Sequence, residues 1–117
     1  MSWHVVITCL AVGLLAACAP GLEAAPAPVA DTSQVLMAKA YRFDPVSIRV
    51  PVGTTVTWLN DDNFTHDVRV LGNGGWHSQP VRPGDSVSHL FTQPGTYAYE
   101  CTFHPQNMKG TVEVIAQ

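Results

Sequence analysis

Charged side chains are scarce in this chain of 117 residues, since only 13% of its residues are Asp, Glu, Lys or Arg. The six Lys and Arg residues are scattered singly, and the formal net charge is −3. Proteins that bind nucleic acids contact the phosphates through a basic patch, so the composition excludes that role to first order. The low charge, together with nine Gly and nine Pro, also argues against a helical bundle or a coiled coil.

Long hydrophobic runs are also missing, and the most apolar segment, residues 5–17, has only 13 residues. As a helix it would span about 20 Å, which is short of a hydrocarbon core of ~30 Å. Its length is typical of a signal peptide, and it leads into Leu15, two alanines and Cys18. This ending resembles the bacterial lipobox, in which the cysteine receives lipid and becomes the mature N-terminus. We therefore predict an exported lipoprotein on the periplasmic or cell-surface side, anchored to the membrane through Cys18.

The alternative for the N-terminus is an ordinary secretory signal that is cleaved near residues 24–25 and discards Cys18. In either case residues 1–17 are interpreted as a signal peptide, and Cys9 is removed with them. Residues 18–32 are rich in Ala and Pro, which favours an extended tether. Residues 33–117 remain as a single folded domain. Cysteine is too scarce, with three residues in all, to build a disulfide scaffold.

From Ser33 onward the hydrophobic pattern has period two rather than 3.6, and Pro and Gly turn signals separate the segments. About seven short strands of this kind predict an all-β sandwich. The alternation directs His66 and Cys101 inward, each at one end of its strand, while Asp67 points the other way. The predicted strands are Gln34–Phe43, Val46–Val50, Thr54–Asn60, His66–Val70, Asp85–Thr92, Thr96–Cys101 and Gly110–Ile115.

Four side chains form the most informative constellation: Cys101, His104 and Met108 in a C-x2-H-x3-M arrangement, with His66 upstream. Two imidazoles, one thiolate and one thioether are typical of a blue-copper site, in which a His2Cys set has a weak axial Met. Such a set accommodates both Cu(I) and Cu(II), as a one-electron carrier requires. Zinc is the competing metal, although its closed tetrahedral sites do not use Met.

The chain is similar to the cupredoxins, in particular to small bacterial members of the plastocyanin/amicyanin type, over residues 34–116. The resemblance implies a Greek-key β-sandwich with one copper ion. It also implies that His66, Cys101 and His104 are the equatorial ligands and that Met108 is the axial one. The landmarks that carry the resemblance are Phe43-x-Pro45, Ile48-x-Val50-x-x-Gly53, Val56-x-Trp58-x-Asn60, His66-x-Val68, Gly95-x-Tyr97-x-Tyr99-x-Cys101-x-x-His104 and Met108-x-Gly110-x-Val112.

Two features depart from the pattern of that family. Three residues separate His104 from Met108, whereas amicyanin-like members have two and plastocyanin-like members have four. Gln106 in this loop is a remote axial alternative to Met108. The second departure is Asp67, where the family often has Asn, Thr or Ser. A carboxylate beside the site would lower the reduction potential, and its outward phase predicts an exposed side chain that weakens this effect.

By resemblance the protein is an electron carrier and not an enzyme. The electron would pass through the exposed edge of His104, within an apolar patch that includes Phe64, Phe103 and Pro105. The expected partner is a transient redox protein, a cytochrome or another electron-transfer protein, and the carrier is expected to be a monomer. A copper storage or delivery protein with the same ligands is the alternative. A metal-free interaction module and a detached domain of a copper nitrite reductase fit less well.

The other histidines in the folded part are interpreted without a metal role. His77 follows a Gly-rich loop and is expected at the surface. His89 is in phase with Val87 and Phe91, so it is expected to be partly buried. Trp76 could pack in the core or lie exposed near the loop, and the pattern leaves both open.

Overall fold

The computed structural model describes residues 28–72 and 74–117, which form two four-stranded β-sheets. The two sheets confirm the all-β sandwich predicted from the period-two pattern. Within these two ranges, no helix has the length and apolar character needed to cross a membrane. The strands are β1 (Gln34–Ala38), β2 (Arg42–Asp44), β3 (Ser47–Pro51), β4 (Thr54–Asn60), β5 (Arg69–Val70), β6 (Ser86–Phe91), β7 (Gly95–Glu100) and β8 (Lys109–Ile115).

Both sheets are mixed. The first has the order β2-β1-β4-β6 with β1 parallel to β4, and the second has the order β3-β8-β7-β5 with β3 parallel to β8. All other strand pairs are antiparallel. Ala30 adds a parallel bridge to Ile48, so β-pairing begins three residues before the domain start predicted at Ser33.

The predicted strand Gln34–Phe43 is wrong, because the chain reverses in its middle. Ala40 and Tyr41 have φ angles of 68° and 55°, and β2 turns back to pair antiparallel with β1. The segment contains neither Gly nor Pro, so it carries none of the usual turn signals. Both halves of the hairpin still place alternate side chains in the core, with Met37 and Phe43 fully buried.

The core lies between the inward faces of the two sheets and is built around large aromatic rings. The ring of Tyr99 packs edge-on against Trp58 at 5.3 Å and against Phe43 at 4.7 Å, measured between centroids. Full burial of side chains of this size contributes about 1.5–3 kcal/mol each. Opposite Tyr99 on β8 lies Gly110, where an added Cβ would come within 2.3 Å of the Tyr99 hydroxyl oxygen. Glycine is therefore required there by the packing of Tyr99.

The segment His66–Val70, predicted as one strand, is regular only at Arg69 and Val70. His66 instead forms an isolated bridge with Val81, through backbone hydrogen bonds of 3.0 and 2.7 Å. The inward phase is confirmed for His66, Val68 and Val70, which are all buried, although Asp67 between them is buried as well. The bridge brings His66 to the end of the sandwich where β7 ends and β8 begins.

Candidate metal centre

His66 is completely buried, and its two ring nitrogens face different neighbours. Its Nε2 lies 2.8 Å from the Asp62 carboxylate, and its Nδ1 lies 3.6 Å from the Cys101 sulfur. A carboxylate can only accept, so Nε2 carries a proton, and Nδ1 is the ring nitrogen that faces the thiol. The ring is thereby held in the orientation from which Nδ1 could bind a metal.

Asp62 contacts the candidate ligand His66, and the sequence analysis does not predict this contact. Its backbone N–H donates to the side chain of Asn60 at 2.9 Å, and the N–H of Asn63 donates to its carboxylate at 2.8 Å. Burial would raise the pKa of Asp62, but the hydrogen bonds from His66 and Asn63 outweigh it and hold the pKa below the ordinary value. The carboxylate is therefore ionised at neutral pH and fixes the His66 ring. An Asp four residues before a His, outside any helix, carries no periodic signal that would have revealed this contact.

The segment between β7 and β8 carries the other three candidate ligands in a loop closed by its own backbone. The Cys101 N–H donates to the carbonyl of Met108 at 3.0 Å. The His104 N–H donates to the carbonyl of Cys101 at 3.2 Å, and the Met108 N–H donates to the carbonyl of His104 at 2.9 Å. Cys101 and Met108 are fully buried, whereas Gln106, the alternative axial residue, is exposed. The loop thus closes at its base through the backbones of Cys101 and Met108, and both of their side chains are buried.

The Cys101 thiol is held in its protonated form in the absence of a metal. Burial raises the pKa of Cys101 most, and the nearby charge of Asp67 raises it further. Backbone N–H groups of Asp67, Phe103 and His104 point at the sulfur and offset part of this shift. The same N–H groups would support a thiolate once a metal displaced the proton.

Asp67 is buried, and the prediction that it is exposed is wrong. Only 3% of the residue is accessible, because the loop after Cys101 and the segment around His77 cover it. Its carboxylate accepts from the Thr102 N–H at 2.6 Å and from the Thr102 hydroxyl, and it pairs with His77 Nε2 at 2.7 Å. Burial would raise the pKa of Asp67, but the bonds from Thr102 and His77 lower it below the ordinary value. A full negative charge therefore lies next to the candidate metal centre.

Aromatic rings gather around His104, which is half-buried. The Tyr41 ring lies 4.1 Å from the His104 ring and 5.7 Å from Phe64, and the rings of His104 and His66 are 5.6 Å apart. Phe64 and Phe103 are 55% and 50% exposed. Phe103 and His104 line a shallow surface depression together with Pro105, Gln106 and Asn107. The predicted patch residues are thus exposed around His104. Tyr41 also lies there, although no sequence motif predicts it.

The donor set fits copper in its chemistry, since thiolate, thioether and imidazole together are the ligands of blue-copper sites. Metal–sulfur and metal–nitrogen bonds of about 2.3 and 2.0 Å, the lengths found in zinc sites, would place the two donors about 3.5 Å apart at a tetrahedral angle. Cys101 Sγ and His66 Nδ1 are 3.6 Å apart, so one metal ion could contact both. Across residues 28–72 and 74–117, no three or more His, Cys, Asp and Glu side chains converge on one metal position. The His66–Cys101 pair is thus the assembled part of the predicted set, and His104 lies against Tyr41.

The remaining predicted residues lie as follows. His77 is 48% exposed at its side chain, as expected, although it also pairs with Asp67. His89 is partly buried, as expected, and stacks on Trp76 at 4.4 Å with an 18° tilt between the rings. Burial lowers the pKa of His89. Cys18, the signal peptide and residues 18–27 of the tether lie outside the described residues.

Comparisons with known proteins place the chain among copper-binding proteins. Residues 30–115 match the family model for copper binding proteins of the plastocyanin/azurin family. Amicyanin from Paracoccus denitrificans is 36% identical over 94 residues, which cover 77% of this chain and 71% of amicyanin. A purple cupredoxin from Nitrosopumilus maritimus, 32% identical, superposes with a TM-score of 0.65 over 72% of this chain and 100% of its own.

A copper-containing nitrite reductase from Thermus scotoductus is also structurally similar. Its sequence is 33% identical, and the TM-score is 0.64 over 79% of this chain but only 23% of the reductase. The similarity is thus to one part of that larger protein. The family match, the amicyanin relative and the buried thiol–imidazole pair agree on one assignment. The chain belongs to the plastocyanin/azurin family of copper-binding proteins, and its cofactor is copper.

Proposed function

We propose that the protein is a one-electron carrier in which His66 Nδ1, the Cys101 thiolate and His104 are the equatorial copper ligands and Met108 is the axial ligand. Its amicyanin and plastocyanin relatives are copper electron carriers. The observation that carries the proposal is the buried pair His66–Cys101 at 3.6 Å, next to a half-buried His104. Copper, when bound, supplies the Cu(I)/Cu(II) couple that takes up and releases one electron.

The protein side chains hold the centre in a form suited to both oxidation states. Asp62 fixes the His66 ring, and the backbone hydrogen bond between Cys101 and Met108 closes the loop that carries both sulfur side chains. Burial of Cys101 and Met108 excludes water from the sulfur ligands. We propose a carrier and not an enzyme, because the four protein ligands would fill the coordination positions and leave none for a substrate.

The proposed route for the electron is the edge of His104. Phe64, Phe103 and Pro105 are exposed around it and would form a small apolar contact for a redox partner. Small contacts of this kind suit transient electron-transfer complexes, which have low interface areas. The proposed partner is a cytochrome or another electron-transfer protein, met by a monomeric carrier.

Spectroscopy of the purified protein tests the proposal. The oxidised protein should show an intense visible band from charge transfer between the Cys101 thiolate and Cu(II). Cys101→Ala should abolish the band, whereas Met108→Gln should keep it and lower the reduction potential. A protein that stays colourless and EPR-silent after loading with Cu(II) and oxidation would refute it.

A copper storage or delivery protein with the same ligands is the alternative, and voltammetry separates the two. Fast, reversible electron transfer supports the carrier, whereas slow and chemically irreversible transfer supports the store. The lack of exposed Met-rich or His-rich segments among the described residues favours the carrier.

We also propose that the protein is exported and anchored through lipid on Cys18. The apolar run and the lipobox-like ending support this proposal. Mass spectrometry of the mature N-terminus should find a diacylglyceryl-modified Cys18, and Cys18→Ser should move the protein from the membrane fraction to the soluble fraction. An unmodified N-terminus near residues 24–25 would instead indicate an ordinary secretory signal.

A further inference from the structure

Tyr41 closes the turn between β1 and β2 in an uncommon backbone conformation. Its φ of 55°, after 68° at Ala40, lies in the left-handed region that favours glycine. A bulky aromatic residue persists there only where its surroundings hold it, and such residues cluster at functional sites. Glycine at position 41 would make the same turn without strain, so the contacts of the ring have to account for the tyrosine.

The Tyr41 ring lies among the rings of the candidate metal centre. Its centroid is 4.1 Å from that of His104 with a tilt of 37°, and 6.3 Å from that of His66 with a tilt of 83°. The tilted ring of Tyr41 approaches His104 closely and packs against that imidazole. The edge-on approach to His66 leaves the hydrogen bond between His66 and Asp62 in place. Tyr41 therefore packs closely against His104, whereas its contact with His66 is more distant and edge-on.

We infer that Tyr41 is a positioning residue that fixes the orientation of the His104 imidazole through close ring packing. The inference rests on the proposed function, in which His104 is both a ligand and the exit for the electron. An imidazole packed under an aromatic ring loses freedom to rotate about its Cβ–Cγ bond. Its donor nitrogen then keeps one direction with or without the metal and in both oxidation states, as a preorganised ligand requires.

Three variants separate the ring of Tyr41 from its backbone. Tyr41→Phe keeps the ring and removes only the hydroxyl. Tyr41→Gly removes the ring and relieves the left-handed strain, so the variant should fold without loss from the turn. Ala40→Gly is the matched control, because it relieves the same kind of strain in the adjacent residue and leaves the ring in place.

The first readout is NMR of the metal-free full chain, in which the His104 ring protons should be shifted upfield by the Tyr41 ring. The shift should persist in Tyr41→Phe and Ala40→Gly and disappear in Tyr41→Gly. The second is the affinity for Cu(I), measured by competition with a chelator. Stacked aromatic pairs change equilibria by about 2- to 13-fold, so Tyr41→Gly should bind Cu(I) more weakly by that factor. The other two variants should match the wild type.

Two results would overturn the inference. One is a Tyr41→Gly variant with the wild-type His104 shift and Cu(I) affinity, and the other is a Tyr41→Phe variant that behaves like Tyr41→Gly. Failure of the proposed function is distinguishable from either. In that case the wild type forms no thiolate–Cu(II) band, whereas failure of the inference alone leaves the band intact in every variant.

Discussion

Removing the Asp67 carboxylate should destabilise the fold more than removing most other polar side chains. The carboxylate is buried and takes part in three hydrogen bonds, two from Thr102 and one with His77. Hydrogen bonds to a charged group contribute about 1.5–3 kcal/mol each, and partial exposure of the partners favours the lower value. We therefore expect Asp67→Ala to lower the free energy of unfolding of the metal-free protein by about 4 kcal/mol. That is a large part of the 5–15 kcal/mol typical of small domains.

The isosteric variant Asp67→Asn separates charge from shape. Its carbonyl can still accept from the Thr102 N–H, and its amide can donate to the Thr102 hydroxyl, so the expected loss is about 1 kcal/mol. The reduction potential should rise, since the negative charge beside Cys101 favours the more positive Cu(II) and the variant removes it. Thr102→Val is the matched control, because it removes one hydrogen bond and leaves the charge unchanged.

Urea unfolding of the metal-free proteins gives the stabilities, and voltammetry of the copper-loaded proteins gives the potentials. A double-mutant cycle of Asp67→Ala, Thr102→Val and the double variant gives the coupling energy between Asp67 and Thr102, which should be about 1–3 kcal/mol. The reasoning fails if Asp67→Ala costs less than about 1 kcal/mol. It also fails if the potential of Asp67→Asn is equal to or below that of the wild type.

Three further predictions concern the rest of the domain. Gly110→Ala should lower the free energy of unfolding in urea by about 3 kcal/mol or more, because its Cβ would lie 2.3 Å from the Tyr99 hydroxyl. Adding Tyr99→Phe to the same chain should recover part of the loss. Equal stability of Gly110→Ala and wild type would contradict this. Asp62 and Asp67 have lowered pKa values, so their stabilisation is present above the ordinary carboxylate pKa and is lost as the pH falls through the folded values. Unfolding free energy should therefore decline below about pH 4, and less steeply in Asp62→Asn, whereas parallel curves would count against the assignment. Arg49→Ala removes a half-exposed ion pair with Glu113 at 3.2 Å and should cost no more than about 1 kcal/mol, so a larger loss would show a coupling that this contact does not explain.

The core faces could be predicted from the sequence because side-chain alternation is a local property of a strand. Phase alone predicts that His66, Val68 and Cys101 face inward, and all three are buried. Phase does not show what covers the opposite face of a strand, however, so it wrongly predicts that Asp67 lies at the surface. The residues that cover it, Thr102 and His77, are 35 and 10 positions away. Long-range contacts of this kind are set by the packing of loops and have no period.

The turn at Ala40 and Tyr41 shows the second limit. Turn prediction depends on Gly, Pro, Asn and Asp, and this turn uses none of them at its left-handed positions. The partners of the histidine rings were missed for a related reason. The contact of Asp62 with His66 and that of Tyr41 with His104 join residues from irregular segments, in which spacing along the chain does not fix direction. The types and spacing of the candidate ligands can be read from the sequence, whereas the groups that contact their rings cannot.

The strand order has a consequence for contacts between copies of the protein. Unpaired sheet edges invite pairing with a second chain, and natural proteins shorten or cover them. Here the edge strand β2 has three residues, Ala30 pairs along β3, and residues 76–78 bond to β5. Within residues 28–72 and 74–117, β6 is then the one long edge left open, and it carries Ser86 and Ser88 beside the exposed Leu90. Edge-to-edge aggregation of the folded domain would accordingly start at β6.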